Sequence, residues 1–340
     1  MRVPLSILSL SILAFVMMRF SCTLRTAFTP ICYLPFISKS ALYAPLDPGH
    51  PKWADFPQLI EVQSSKLEQL LEDSLGGSEI SLKIGASNFP TDYINLLTNL
   101  NLKPSHVLAD LLTMLDKDAK KTAWSLMKIT SKAGSAVDNI IVVNEIVMRA
   151  IQDAEKNAPP TYPSTDLNTS HTGPTAQEVT VSAFTYAMDI FSVTIQRLIL
   201  EAEVSLHNLD TLEEEMLVVR KAVTREVFSV TGTGFLGKLH VDMVERQRER
   251  RLRWLDDFAD YRKQAQGYVV AVLQTLKSTS KNMESLRKRV AAPELVGGRI
   301  PLHMHIWSIQ NGLQRLRGIR VRAKEREDQV MERGLRFGAD

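Results

Sequence analysis

Beyond Cys32 the 340-residue chain has no cysteine; its two cysteines, Cys22 and Cys32, both lie near the start. This excludes a disulfide framework, a thiolate zinc site and a cysteine nucleophile from the body of the protein. The chain is also poor in aromatic residues (7%), which argues against a base-stacking nucleic-acid surface. No acidic residue precedes Asp47. There is no Gly-x-Ser-x-Gly elbow, P-loop or paired-carboxylate motif. The seven histidines are scattered, and His303 and His305, two apart, do not share a helix face, so no metal site is expected. No catalytic residue and no cofactor is therefore assigned.

The hydrophobic content (44%) and charged content (23%) are those of an ordinary globular chain. The net charge is only +3, but it is unevenly spread. Residues 241–340 carry 21 Lys and Arg against 13 Asp and Glu, whereas residues 1–240 carry 20 against 25. That asymmetry has two readings: a basic partner face at the C-terminal end, or an ordinary solvated helix surface paired within the molecule to the acidic half.

Residues 3–18 are almost wholly apolar, preceded by Arg2 and followed by Arg19. A basic start and an apolar run of this length read as a signal peptide or signal anchor over residues 1–22. The run falls short of the ~20 apolar residues of a typical transmembrane helix. Ser38-Lys39-Ser40 before Ala41 is an acceptable but distant cleavage site. If the segment is retained, Cys22 is a candidate juxtamembrane acylation site. The expected location is the secretory pathway, with the product secreted or membrane-anchored. The acid-free, Arg- and Ser-containing start keeps a mitochondrial location as the alternative, although the run lacks the amphipathicity of a presequence.

Residues 23–52 contain Pro30, Pro35, Pro45, Pro48 and Pro51 and read as a linker. Residues 53–156 are expected to form a region of four or so short helices. Gly76-Gly77 is read as a helix stop, Ile80, Leu82 and Ile84 as irregular chain or a helix turn, and Ala133-Gly134-Ser135 as a pause. Residues 157–176, rich in Pro, Ser and Thr, are read as a flexible loop, and Asn168-Thr169-Ser170 within it makes Asn168 a candidate glycosylation site.

The strongest pattern spans residues 177–334, ahead of a short tail at 335–340. From Val181, the a and d positions of a heptad repeat are apolar at twelve of fourteen places, ending at Val223 and Glu226. A second run, from Leu255 to Val290, is apolar at nine of eleven, with Arg262 and Thr279 as exceptions. A third, from Leu302 to Val330, is apolar at seven of nine. Such seams predict three long helices with coiled-coil-like packing. Breaks at Thr231-Gly232-Thr233-Gly234 and at Ala292-Pro293 with Gly297-Gly298 favour antiparallel neighbours. The expected fold is all-α: a short-helix region followed by an elongated antiparallel bundle. Gly232-x-Gly234-x-x-Gly237 matches the dinucleotide fingerprint in spacing, but it follows a helix rather than a strand and is read as a turn.

Two stretches, Leu59-Ile60-Glu61-Val62-Gln63 to Leu70-Leu71 with Gly76-Gly77-Ser78, and Ala136-Val137-Asp138-Asn139-Ile140 to Asn144, carry a loose resemblance. Over residues 50–290 the chain resembles a group of uncharacterised fungal, mainly basidiomycete, proteins with an N-terminal signal or membrane segment and an all-helical body. The resemblance implies no activity and no functional residue.

The basic cluster Arg246, Arg248, Arg250, Arg251 and Arg253, echoed by Arg315, Arg317, Arg320, Arg322, Lys324 and Arg326, has two readings. Interleaved glutamates favour i, i+4 pairing along exposed helices. The functional rival is contact with an anionic membrane; nucleic acid is disfavoured by the shortage of aromatics beyond Trp254. The expected function is that of a non-enzymatic helical interaction or scaffold protein of the secretory pathway or membrane periphery. Its heptad helices would take a protein partner or a second copy. The alternative is an anionic-membrane module using the basic helices.

Overall fold

The computed structural model describes residues 53–86, 103–157, 175–226, 235–291 and 300–337. They form five helices: α1 (Phe56–Ala86), α2 (Lys103–Lys156), α3 (Ala176–Glu226), α4 (Phe235–Ala291) and α5 (Leu302–Phe337). There is no strand among the described residues. At 1.5 Å per residue the 54-residue α2 is roughly 80 Å long.

Side-chain contacts between helices give the register. Along α1 and α2, Gln63 meets Asn144 and Ser74 meets Thr130, so the two run antiparallel. Ser205 against Ser125 and Asn208 against Thr122 make α3 antiparallel to α2. Gln196 against Ser280 and Asp189 against Arg287 do the same for α3 and α4. Then Asp55 against Arg289, and Asp73 against Thr275, return α4 to α1. Helices α1 to α4 therefore close an up-down-up-down four-helix bundle. The fifth helix lies in the groove between α1 and α2, parallel to the first and antiparallel to the second.

The heptad seams point inward as expected. Every a and d residue from Phe184 to Val223 is buried, as is every one from Leu255 to Val290, Arg262 and Thr279 included. The Arg262 guanidinium is tolerated inside because Glu213 lies 3.1 Å away and Gln266 Oε1 accepts a bond at 3.3 Å. The three seams do not, however, pack as a three-helix unit of their own. The α3 and α4 seams share one core with α1 and α2, and α5 docks on α1 and α2.

Residues 53–156 depart from the expected short helices: they form two long ones. Neither Gly76-Gly77 nor Gly134 ends a helix. Gly77 and Gly134 sit at close approaches, whereas Gly76 faces open space. A Cβ on Gly77 would fall 2.4 Å from the Tyr268 ring, and one on Gly134 would fall 3.0 Å from the Arg320 guanidinium. Ile80, Leu82 and Ile84, expected as irregular chain or a helix turn, lie on the last turns of α1, with Ile84 buried. The small side chains of this helix, including Ser74, Ser78 and Ser81, let three neighbours approach it at once. Ser74 and Ser81 satisfy their hydroxyls by donating to carbonyls three residues back.

Helix starts carry ordinary capping chemistry. Asp55 Oδ1 accepts from the Gln58 backbone N–H at 3.1 Å, while its other oxygen accepts from Arg289 at 2.6 Å. Thr175 and Glu178 form a reciprocal capping box at the start of α3. Beyond the end of α1, which lies level with Ala123 and Tyr261, the described bundle continues as α2, α3 and α4 alone.

Candidate functional site

The arginines singled out in the sequence do not form one surface. On α4, Arg246 and Arg250 are exposed. Arg253 turns back onto Glu249, 3.7 Å away, and Arg251 is half-buried with its Nε sealed from solvent. The Arg248 side chain lies outside the described residues, as do Cys22, Asn168 and the apolar run at 3–18. Trp254 stacks on Phe258 with ring centroids 5.0 Å apart, so it belongs to the core edge.

The α5 arginines turn inward to neighbouring helices. Arg315 reaches Glu68 at 2.7 Å, Arg317 reaches Glu145 at 2.5 Å, and Arg320 Nε donates to both oxygens of Asp138 at 3.0 and 3.1 Å. Arg322 lies 3.7 Å from Glu68. On α5 the pairing of these four arginines runs across helices, whereas on α4 Arg253 and Glu249 pair one turn apart on the same helix. These charges hold α5 in its groove.

Of the fingerprint glycines, Gly237 lies on α4 and the other two fall outside the described residues. His303 is exposed; His305 is buried, its ring 5.7 Å from that of Phe56. Among the described residues no group of three His, Cys, Asp or Glu side chains could hold a metal ion, and no helix is long and apolar enough to cross a membrane.

The outer faces of α2 and α3 carry the unexpected feature. Among the described residues, ten of the fifteen large apolar side chains left exposed lie on these two helices. On α3 they form a row. Val179, Tyr186, Val193 and Leu200 follow one another at intervals of seven, and Val204, Thr211 and Val218 continue at the same interval after a step of four. Tyr186, Leu200, Val204 and Val218 are each about half or more exposed, at 48, 63, 55 and 47%. Beside the start of this row lies a groove of about 630 Å³ lined by Ile146, Val147, Ala150, Val179, Ala183 and Tyr186.

The row occupies the f and c positions of the heptad whose a and d positions fill the core. In a bundle helix those places face water and ordinarily carry charge. That substitution of valine, leucine and tyrosine for charge was visible in the sequence, but the stronger a/d seam drew attention away from it.

Two electrostatic features flank this face. Burial acts to raise the Glu201 carboxyl, but hydrogen bonds from Lys132 and Lys128 outweigh it and hold the group below its ordinary value. Further along, burial and the adjacent Asp118 carboxylate push Glu215 up to about 7, with Lys121 opposing. Both lie on the α2–α3 seam. No protein-family model, curated protein or solved structure matches the chain.

Proposed function

We propose that this protein is a non-enzymatic helical interaction protein that self-associates through the outer face of α3. The observation that carries the reading is the symmetry of the apolar row about Ala202. An antiparallel pair of α3 helices related by a two-fold axis at that residue sets Leu200 of one copy against Val204 of the other. The same axis sets Val193 against Thr211 and Tyr186 against Val218. A two-fold interface requires this self-complementarity, because one patch must serve both sides.

The size of the face predicts a modest affinity. From Tyr186 to Val218 the row runs about 48 Å, and a helix is about 10 Å wide. That yields roughly 500 Å² per copy, or about 1,000 Å² in all, at the lower bound for a specific interface. A dimer in the micromolar range is expected. The apolar run at residues 3–18 and its basic flank support entry into the secretory pathway as the setting for this role.

The test is sedimentation of the full chain over a concentration series, alongside Leu200→Glu with Val204→Glu. The native chain should shift from monomer to dimer with concentration, and the double variant should stay monomeric with unchanged helicity. A native chain that stays monomeric to about 100 µM would remove the proposal.

A further inference from the structure

Helix α2 carries exposed apolar side chains of its own, Met114, Trp124 and Val142 among them. Trp124, at 66%, is the most exposed of the large apolar residues described. Leaving so large a ring in water forgoes the burial that makes tryptophan a common anchor of protein interfaces.

The contacts between α2 and α3 fix where these residues lie against the α3 row. Ser125 lies beside Ser205 and Thr122 beside Asn208, so Lys128 is level with Ala202. The residues that α3 turns to α4 (Asp189, Gln196, Glu203) stand at heptad b. Those it turns to α2 (Glu201, Ser205, Asn208) stand at d and g. Around a helix c adjoins g and f adjoins b. In stepping from f to c, the apolar row therefore leans toward α2 rather than α4.

A two-fold axis crossing α3 at right angles within the contact plane reverses the helices and leaves α2 on the same side in both copies. The two α2 helices then run antiparallel, with Lys128 on the axis. Met114 and Val142 are equidistant from that point, fourteen residues to either side. Trp124 and Lys132 are equidistant too, at four. The axis read from α3 alone thus sets Met114 of one copy against Val142 of the other, and Trp124 against the Lys132 ammonium in a cation–π pair. Lys128 meets its own counterpart, but its charge is met by Glu201 at 3.0 Å, and Lys132 is bonded to the same carboxylate.

We infer that α2 is the second half of the self-association surface, with Trp124 as its anchor against Lys132 of the second copy. This rests on the α3 reading and extends it. From Met114 to Val142 the added strip is about 42 Å long and about 10 Å wide. It brings the buried area from about 1,000 to roughly 1,800 Å² in all, the standard size of a stable interface, where α3 alone reaches only the lower bound.

The experiment is sedimentation of the full chain over a concentration series with α2 variants. Trp124→Ala should weaken dimerisation at least about tenfold. Met114→Glu and Val142→Lys should each weaken it, and the double variant, which sets opposite charges face to face, should associate more tightly than either. The two positions lie about 42 Å apart on one helix, so only contact between copies can couple them. All three sites are exposed, so helicity should not change. The inference is overturned, and the α3 reading kept, if Leu200→Glu with Val204→Glu abolishes association while Trp124→Ala dimerises as the native chain does. Should that tryptophan variant instead lose binding to anionic-lipid vesicles, α2 faces a membrane and not a second copy. Additive losses from the Met114 and Val142 substitutions would also overturn it. A native chain that stays monomeric overturns both readings.

Discussion

The outer edge of α5 and the outer face of α3 invert the usual assignment of charge and apolarity. The fifth helix is thick with arginine, and four of those arginines reach across to acids on α1 and α2. The third is a heptad helix whose core seam is full, yet it keeps a second apolar row facing water. Charge on α5 is thus used in exposed pairs between helices, while α3 leaves apolar surface facing water. The lesson is that a basic run needs its neighbours before it can be read as a partner surface.

Substitutions can break or sharpen that comparison, beginning with the inner face of α3. Phe191 is fully buried, and Phe191→Ala should cost about 3–5 kcal/mol in a denaturant titration, through lost transfer energy and the cavity left behind. A loss below 1 kcal/mol would mean that the inner seam is not the main packing face. Next comes the seat of α5. A Cβ on Gly312 would lie 2.2 Å from Ile60 Cγ2, so Gly312→Val should cost about 1–3 kcal/mol as α5 is forced off α1. Hydrogen exchange should accelerate in α5 before it does in α3.

A smaller effect comes from the carboxyl pair between α2 and α3. The folded state binds the Glu215 proton more tightly than the unfolded chain does. Its contribution is therefore fully present below the ordinary carboxylate value of 4.5 and is lost as pH rises toward about 7. Glu215→Gln should flatten this part of the pH–stability profile and stabilise the protein by about 1 kcal/mol at pH 8, a figure discounted for solvent screening. An unchanged profile between pH 4.5 and 8 would contradict the pairing with Asp118. The smallest expected change is in the outer row: Leu200→Glu with Val204→Glu should alter monomer stability by no more than about 0.5 kcal/mol per site. That near-silence in stability, against a full loss of association, is the sharpest contrast with Phe191→Ala.

Much of the architecture was legible in particular residues. The a/d positions from Phe184 to Val290 named the buried faces of α3 and α4 almost without error. Arg262 and Thr279, which broke the pattern, are buried with it because each finds a partner: Glu213 for the first and the Thr275 carbonyl for the second. The Asp55 cap and the Thr175–Glu178 box were not among the expected helix starts, although both are ordinary start signals. Glycine misled. Gly77 and Gly134 weaken a helix in isolation, and only the Tyr268 and Arg320 side chains pressed against them explain why the helix continues.

The sequence by itself determined that the body is helical, which faces of its last three helices are apolar, and that no cysteine chemistry operates there. Periodicity is a local property, and burial follows from it for any helix that finds a neighbour. Which neighbour it finds is not local. Tertiary structure alone decided that α1 and α2 join the core of α3 and α4, and that α5 is clamped by its arginines in the α1–α2 groove. It also decided that Trp53 and His305, 252 positions apart in the chain, wall one cavity. Those outcomes depend on volumes and charges meeting across helices, and no single stretch of the chain contains both sides of such a contact.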